Sequence, residues 1–169
     1  MNTEVAVNAH LYWNEVEGSD GTPYPEALRS RLLSVVVPAW MAIRAEVCRV
    51  VGRDTPITVT SFFRTKAHNK AIGGAADSRH VHGDAWDSTA TPGLPVLAYG
   101  LLVARLARQR PALNIRGIGL YLEDGVVHVD TRPIPQTTPV LWRAVYVPDS
   151  KRAGKMKRVY LNWSGSGAE

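Results

Sequence analysis

Apolar residues recur at helical spacing between residues 25 and 51, and this pattern predicts the longest helix of the chain. Pro25 suits the first helical turn, and Gly52 is expected to end the helix. Pro38 lies inside the run, where we expect it to kink or split the helix because proline has no backbone N–H to donate. The apolar positions of the pattern are Leu28, Leu32, Val36, Trp40, Ile43 and Val47.

Shorter runs rich in β-branched and aromatic residues predict the strands of a sheet. They lie at residues 57–62, 118–122, 126–130, 141–147 and 158–163. The second and third runs flank the short loop 123–125 and are expected to form a hairpin. A second helix is predicted over residues 94–110, and residues 64–79 are expected to be irregular. Helices combined with mainly antiparallel strands indicate an α+β fold.

The composition is typical of one folded domain. With 169 residues, 45% of them apolar and 21% charged, the chain is long enough for one sizeable core, so we expect a single domain over residues 1–169. No apolar run approaches the roughly 20 residues needed to cross a bilayer, so no membrane span is expected. The N-terminal residues lack the pattern of a secretory signal, so the chain is expected to be cytoplasmic as synthesised.

The formal charge of +5 and the pI of about 9.6 describe a basic protein. A basic surface favours anionic partners, but the sign of the charge does not choose among them. No helix-turn-helix, zinc-finger or RNP-type pattern accompanies the charge, so nucleic acid is not an expected partner.

Two short segments carry the residues suited to catalysis. In residues 78–87, SRHVHGDAWD, His80 and Asp87 are seven positions apart, while His128 lies on the return strand of the predicted hairpin. Histidine nitrogen and carboxylate oxygen are zinc ligands, and a catalytic zinc typically takes three protein ligands plus a water. Two histidines and one aspartate meet that count. Taken alone, however, a histidine on a strand is more often a hydrogen-bonded structural residue.

The longer pattern around these residues is more specific. The stretches ITVTSFFRTKAHNKAIGGAADSRHVHGDAWD and GIGLYLEDGVVHVDTR resemble the zinc D-alanyl-D-alanine carboxypeptidase family. Relatives of that family include the L-alanyl-D-glutamate endolysins of phages and the hedgehog signalling domain. The resemblance covers about residues 11–132. Phe62 stands where the family usually has Gly, Phe63 where it has Tyr, and His82 where Leu, Arg or Lys is common.

The resemblance implies a role for each matching residue. His80, Asp87 and His128 match the ligands of one zinc ion per chain. Arg64 matches the arginine that binds the substrate's carboxylate, for which its planar fork is suited, and a surface salt bridge is the structural alternative. Ser78 matches a serine beside the first ligand that also binds substrate. The implied fold is hedgehog- or DD-peptidase-like: a small antiparallel sheet carries the zinc site and packs against helices.

The general base is not fixed by the resemblance. Relatives often use a carboxylate or histidine a few residues before the last ligand, but the position three before His128 is Gly125. Asp130 is our first choice, because residues two apart on a strand share a face. It could instead orient His128 from behind. The alternatives are Glu123 and Asp124 in the hairpin turn.

The implied function is zinc-dependent hydrolysis of a peptide bond in bacterial cell-wall peptide, first as a D-alanyl-D-alanine carboxypeptidase. An L-alanyl-D-glutamate endolysin of a phage is one alternative, and a non-catalytic zinc-containing binding or virion structural module is another. The family usually has Gly at the position of Phe62, and relatives often have a carboxylate or histidine where this chain has Gly125. These two departures motivate the non-catalytic alternative. The protein would act in the periplasm or cell wall after release, or as part of a phage particle.

Residues 133–163 lie beyond the resemblance and are predicted to form a C-terminal β-hairpin extension. The connection between its strands carries a basic cluster of Lys151, Arg152, Lys155, Lys157 and Arg158. This cluster is either a solvated hairpin tip or a docking surface for an anionic wall polymer or a virion partner.

Overall fold

A six-stranded sheet runs through the protein, and the computed structural model describes residues 3–90, 94–151 and 154–164. The strands are β1 (Ile57–Ser61), β2 (Ala85–Ala90), β3 (Gly117–Tyr121), β4 (Val126–Asp130), β5 (Val140–Pro148) and β6 (Met156–Asn162). The α-helices are α1 (Trp13–Val16), α2 (Glu26–Arg31), α3 (Val37–Val51), α4 (Lys66–Ala71) and α5 (Val96–Gln109). Short 3-10 turns occur at Arg79–His82 and Pro111–Leu113.

The strand order is β1-β2-β4-β3-β5-β6. Neighbouring strands pair antiparallel except β3 and β5, which are parallel. Mixed helices and a largely antiparallel sheet confirm the predicted α+β fold. The predicted C-terminal hairpin is β5–β6, and the β3–β5 pairing places it in the same sheet as the strands inside the family resemblance.

The two faces of the sheet differ in chemistry because side chains alternate along a strand. One face is apolar and packs on α3 and α5, and its central side chains are Trp86, Ile118, Leu120, Val127 and Val129. Aromatic residues tie the layers together: Trp40 of α3 meets Trp86 edge-to-face, and Tyr99 of α5 makes a buried hydrogen bond to Ser88 of β2. The opposite face carries Asp87, His128 and Asp130, three of the polar residues singled out in the sequence.

The long predicted helix is present but interrupted. Helix α2 passes into a π-helical turn at Leu32–Val36, and α3 follows to Val51, next to Gly52 as predicted. The interruption lies just before Pro38, where Val37 N–H bonds to Leu32 O across the wider π turn. This arrangement places the proline in the first turn of α3, where no backbone donor is required.

The prediction of irregular structure over residues 64–79 was wrong in part. Residues Lys66–Ala71 form α4, whose N-terminus is capped by the Thr65 side chain accepting a hydrogen bond from His68 N–H. The hairpin turn also differs, because Tyr121 pairs with Val126 and the loop therefore has four residues rather than three. Strand β2 was not predicted. No helix in the described ranges is long and apolar enough to span a membrane.

Candidate metal centre

One register row across the sheet brings the metal-binding residue types together. Asp87 on β2 is directly opposite His128 on β4, and His128 is opposite Gly119 on β3. The row continues from Gly119 to Trp142 on β5. Cross-strand partners have their Cβ atoms about 5 Å apart, so Asp87 and His128 face each other on the same side of the sheet.

His80 reaches the same point from the 3-10 turn that precedes β2. The turn is fixed to the end of β1, because Arg64 N–H donates to His80 O at 3.1 Å and His80 Nδ1 donates to Phe62 O at 2.6 Å. Beneath the turn, buried Asp84 accepts hydrogen bonds from Arg79, one of them 3.0 Å long. The hydrogen bonds to the end of β1 and the contact between Arg79 and Asp84 together restrict the position of the His80 imidazole.

The three predicted ligand atoms converge. His80 Nε2 lies 3.2 Å from Asp87 Oδ1 and 3.1 Å from His128 Nδ1, and the last two atoms are 2.9 Å apart. Ligands about 2.0–2.1 Å from a tetrahedral zinc ion are roughly 3.3 Å from one another. The triangle therefore has about the size that one zinc ion requires, and three ligands leave the fourth position open.

Hydrogen bonds select which nitrogen of each histidine faces the centre. Since Phe62 O accepts from His80 Nδ1, the lone pair of His80 lies on Nε2. On His128 the far nitrogen, Nε2, donates to Asp130 Oδ2 at 3.3 Å, which leaves Nδ1 to face Asp87 and His80. Metal-binding histidines commonly use their second nitrogen in this way.

The electrostatics suit a cation. Burial lowers the pKa of His80, which favours the neutral imidazole that binds metal. Burial alone would raise the pKa of Asp87, but His80 and His128 hold it well below its usual range, so this side chain is a carboxylate. Burial opposes a charge on His128, yet its hydrogen bonds to Asp130 and Asp87 raise its pKa to about 9. A bound cation would replace that proton.

Two glycines of β3 give the site its room. A Cβ on Gly117 would lie 2.1 Å from Asp130 Oδ2, and one on Gly119 would lie 2.5 Å from the indole of Trp142. The carboxylate and the indole thus occupy space that any other residue would fill. The indole also packs against the metal-facing histidine, with ring centroids of Trp142 and His128 5.4 Å apart.

The position of Asp130 favours the orienting role over our first choice of general base. Its carboxylate is fully buried and contacts His128 Nε2, on the side of the ring away from the converging ligand atoms. Arg132 holds it further, with Nε donating to Oδ1 at 2.7 Å. Burial would raise the pKa of Asp130, but Arg132 and His128 keep it well below its usual range.

Arg64 and Ser78 both line the cleft that opens over the metal centre. Arg64 is engaged there: its Nη2 donates to Asp87 Oδ2 at 2.8 Å and its Nε to Ser61 Oγ at 2.9 Å. It therefore holds the ligand oxygen that does not face His128. His82, in contrast, is exposed and contacts Asp77 outside the metal group.

The cleft has a volume of about 640 Å³ and crosses the sheet from β1 to β6. Its walls come from two parts of the chain. The loop and turn over residues 72–80 form one side, and Trp142, Arg158 and Tyr160 of the C-terminal hairpin form the other.

A comparison with protein families agrees with this geometry. The sequence model described as Peptidase M15 matches residues 34–130, which is more than half of the chain and includes all three converging side chains. The chain belongs to the peptidase M15 family. Its members are zinc-dependent peptidases, so the function class is that of a zinc metallopeptidase. No curated protein is detectably similar to the chain.

Two features of this M15 chain were not found by sequence reasoning. Arg132 stabilises the Asp130 carboxylate, and its place two residues after Asp130 in HVDTR was the available signal. Trp142 lies outside the matched residues, and its packing on His128 follows from the β3–β5 pairing, which no local pattern indicates. The unusual Phe62 is explained by packing, since its ring stacks on Trp86 with centroids 6.3 Å apart in the core.

Proposed function

We propose that the protein hydrolyses a peptide bond in bacterial cell-wall peptide, using one zinc ion held by His80, Asp87 and His128. The convergence of the three ligand atoms within about 3 Å of one another is the observation that carries this proposal. A zinc ion at this point supplies Lewis acidity, which activates water and polarises the scissile carbonyl.

The residues around the centre support its use in catalysis. Arg64 fixes Asp87, Asp130 fixes His128, and Phe62 O fixes His80. Each ligand therefore has an outer partner that sets its orientation, as metal sites with a fixed geometry require.

We assign the general base to Asp124 rather than to Asp130. Asp124 lies in the turn that leads into β4, four residues before His128, and its carboxylate lines the cleft. Asp130 is buried behind His128, where it orients the ligand. Asp77, which is 91% exposed, also lines the cleft. It is the matched control for the assignment of the base, because Asp77→Asn should leave activity unchanged.

D-Alanyl-D-alanine carboxypeptidase is the first candidate specificity, with Arg64 and Ser78 binding the peptide's carboxylate end. L-Alanyl-D-glutamate endopeptidase is the second. The extent of the cleft favours the second candidate, because the cleft crosses the sheet from β1 to β6 and so continues on both sides of the converging ligand atoms. The contact of Arg64 with Asp87 also leaves less of its fork for a substrate carboxylate.

One soluble substrate separates these candidates. A cell-wall pentapeptide contains both bonds, so mass spectrometry of the products identifies the bond that zinc-loaded protein cleaves. Release of D-alanine indicates the carboxypeptidase, and release of L-alanine the endopeptidase. If zinc-loaded protein leaves both this peptide and purified cell walls intact, the non-catalytic binding or virion module becomes the better description.

A further inference from the structure

The C-terminal hairpin β5–β6 contacts the turn that carries Asp124. Hairpin residues Tyr146 and Arg158 are directly opposite each other in the β5–β6 register. The Tyr146 hydroxyl lies 3.0 Å from each oxygen of Asp124, and Arg158 Nη2 donates to Asp124 Oδ2 at 3.0 Å. The same turn is bonded a second time, because Tyr146 N–H donates to Glu123 Oε1 at 3.5 Å.

Arg158 is itself held in place. Its guanidinium carbon lies 5.2 Å from the ring centroids of both Tyr121 and Tyr146, and its Nε donates to the Tyr146 hydroxyl at 3.1 Å. Cation–π contacts on two rings and a charged hydrogen bond favour one orientation of the guanidinium. Tyr121 lies on the same face of β3 as Gly119, so this cluster is next to the metal centre along the strand.

A carboxylate in a turn needs such a support if it is to transfer protons. The Asp124 side chain is 36% exposed, and an unsupported side chain there would sample several rotamers. General-base catalysis requires the carboxylate to be within hydrogen-bond reach of the proton it removes. Small displacements of a catalytic group lower rates substantially.

We propose that Tyr146 and Arg158 are positioning residues, which hold the Asp124 carboxylate in the cleft for proton transfer. This inference rests on the proposed function, in which Asp124 is the base. It gives the C-terminal hairpin, which lies outside the residues matched by the M15 family, a part in the active site. The hairpin is then required for turnover but not for metal binding.

The test compares four variants of the full-length zinc-loaded protein: Asp124→Asn, Tyr146→Phe, Arg158→Gln and Arg158→Lys. Lys157→Gln is the matched control, because it removes a neighbouring charge whose side chain points to the other face of β6. Zinc content is measured for each variant, together with kcat and KM for the soluble pentapeptide. Tyr146→Phe removes one hydroxyl and keeps the ring, so it remains informative if Arg158→Gln folds poorly.

We expect Asp124→Asn to lower kcat by roughly 10² or more with zinc retained. Tyr146→Phe and Arg158→Gln should lower kcat by about tenfold with little change in KM. Arg158→Lys should restore part of the activity, and Lys157→Gln should match the wild type.

Two results overturn the proposal, and they are distinguishable. If Asp124→Asn is inactive but Tyr146→Phe and Arg158→Gln keep the wild-type kcat, Asp124 is the base and the hairpin does not position it. If Asp124→Asn retains full activity, the assignment of the base fails and the positioning role fails with it.

Discussion

The central strands and the C-terminal hairpin contribute to one cleft by different means. Strands β2 and β4 have a partner on each side, and His128 and Asp130 on β4 are 6% and 0% exposed. Strand β6 is at the sheet edge, and its Met156 and Tyr160 are 57% and 53% exposed. A buried, doubly paired segment opens only in near-global unfolding, whereas an edge hairpin opens more readily.

This difference separates metal binding from the shaping of the cleft. The three converging side chains and the residues that support them make contacts within the family-matched residues or immediately after them, as Arg132 does. The hairpin contributes Trp142 against His128, and Arg158 with Tyr160 along the cleft. The converging side chains are thus supported from the central part of the chain, while the hairpin adds side chains along the cleft beside them.

Removing a ligand should have the largest effect. We expect the wild-type protein to contain about one zinc ion per chain, and His80→Ala and His128→Ala to lose it together with all activity. His82→Ala is the matched control, since His82 is exposed and contacts Asp77 rather than the metal group. Elemental analysis of the purified wild type and variants measures the zinc content of each protein. Full zinc content in both ligand variants would refute the assignment and place metal binding outside this row of strands.

Asp130→Asn should have the second-largest effect and separates its two possible roles. An asparagine accepts a weaker hydrogen bond from His128 Nε2 and loses the charge that Arg132 pairs with. We expect zinc affinity to fall by about 10–100-fold and activity to return when zinc is added in excess. A chelator competition gives the affinity. Unchanged affinity with activity lost by roughly 10² at saturating zinc would make Asp130 the base instead.

The sequence was sufficient for the parts of the fold that local pattern determines. Strand β4 was predicted at Val126–Asp130, where the structure has it, and the family pattern selected the three converging side chains. Helix α4 was missed because its six residues, KAHNKA, are too few for an apolar periodicity. The sequence left the role of Asp130 open between base and orienting residue, because facing the same side as His128 does not reveal which ring nitrogen the carboxylate contacts. That depends on the missing Cβ of Gly117, on the neighbouring strand.

Arg64→Lys should have a smaller effect than either change above. A lysine carries its donors on one nitrogen and cannot reproduce the fork of two nitrogens that contacts Ser61 and Asp87, so we expect zinc to remain bound and kcat/KM to fall by about tenfold. Paired peptides that end in a free carboxylate or in an amide test its predicted role in substrate binding. A loss confined to the free carboxylate supports the clamp. Equal losses for both peptides indicate that Arg64 acts only through Asp87.

Neutralising the basic tip of the hairpin should have the smallest effect, and the effect should be on binding to the cell wall rather than on turnover. The predicted cluster of five cations divides in the structure, because Arg158 turns into the cleft towards Asp124, while Lys151, Lys155 and Lys157 are exposed. Arg152 lies outside the described residues. The exposed lysines remain either a solvated tip or a docking surface for an anionic wall polymer.

Replacing Lys151, Lys155 and Lys157 together with Gln distinguishes these two possibilities. Attraction between exposed charges is screened over about 8 Å at physiological salt, so docking through the tip should weaken steeply as salt rises. We expect the triple variant to sediment with purified cell walls several-fold less than the wild type at low salt, and both proteins to bind equally weakly at high salt. Cleavage of the soluble pentapeptide should be the same for both, because the three lysines do not line the cleft. If the variant binds walls as well as the wild type at low salt, the tip is a solvated surface, and attachment to the wall resides in the cleft itself.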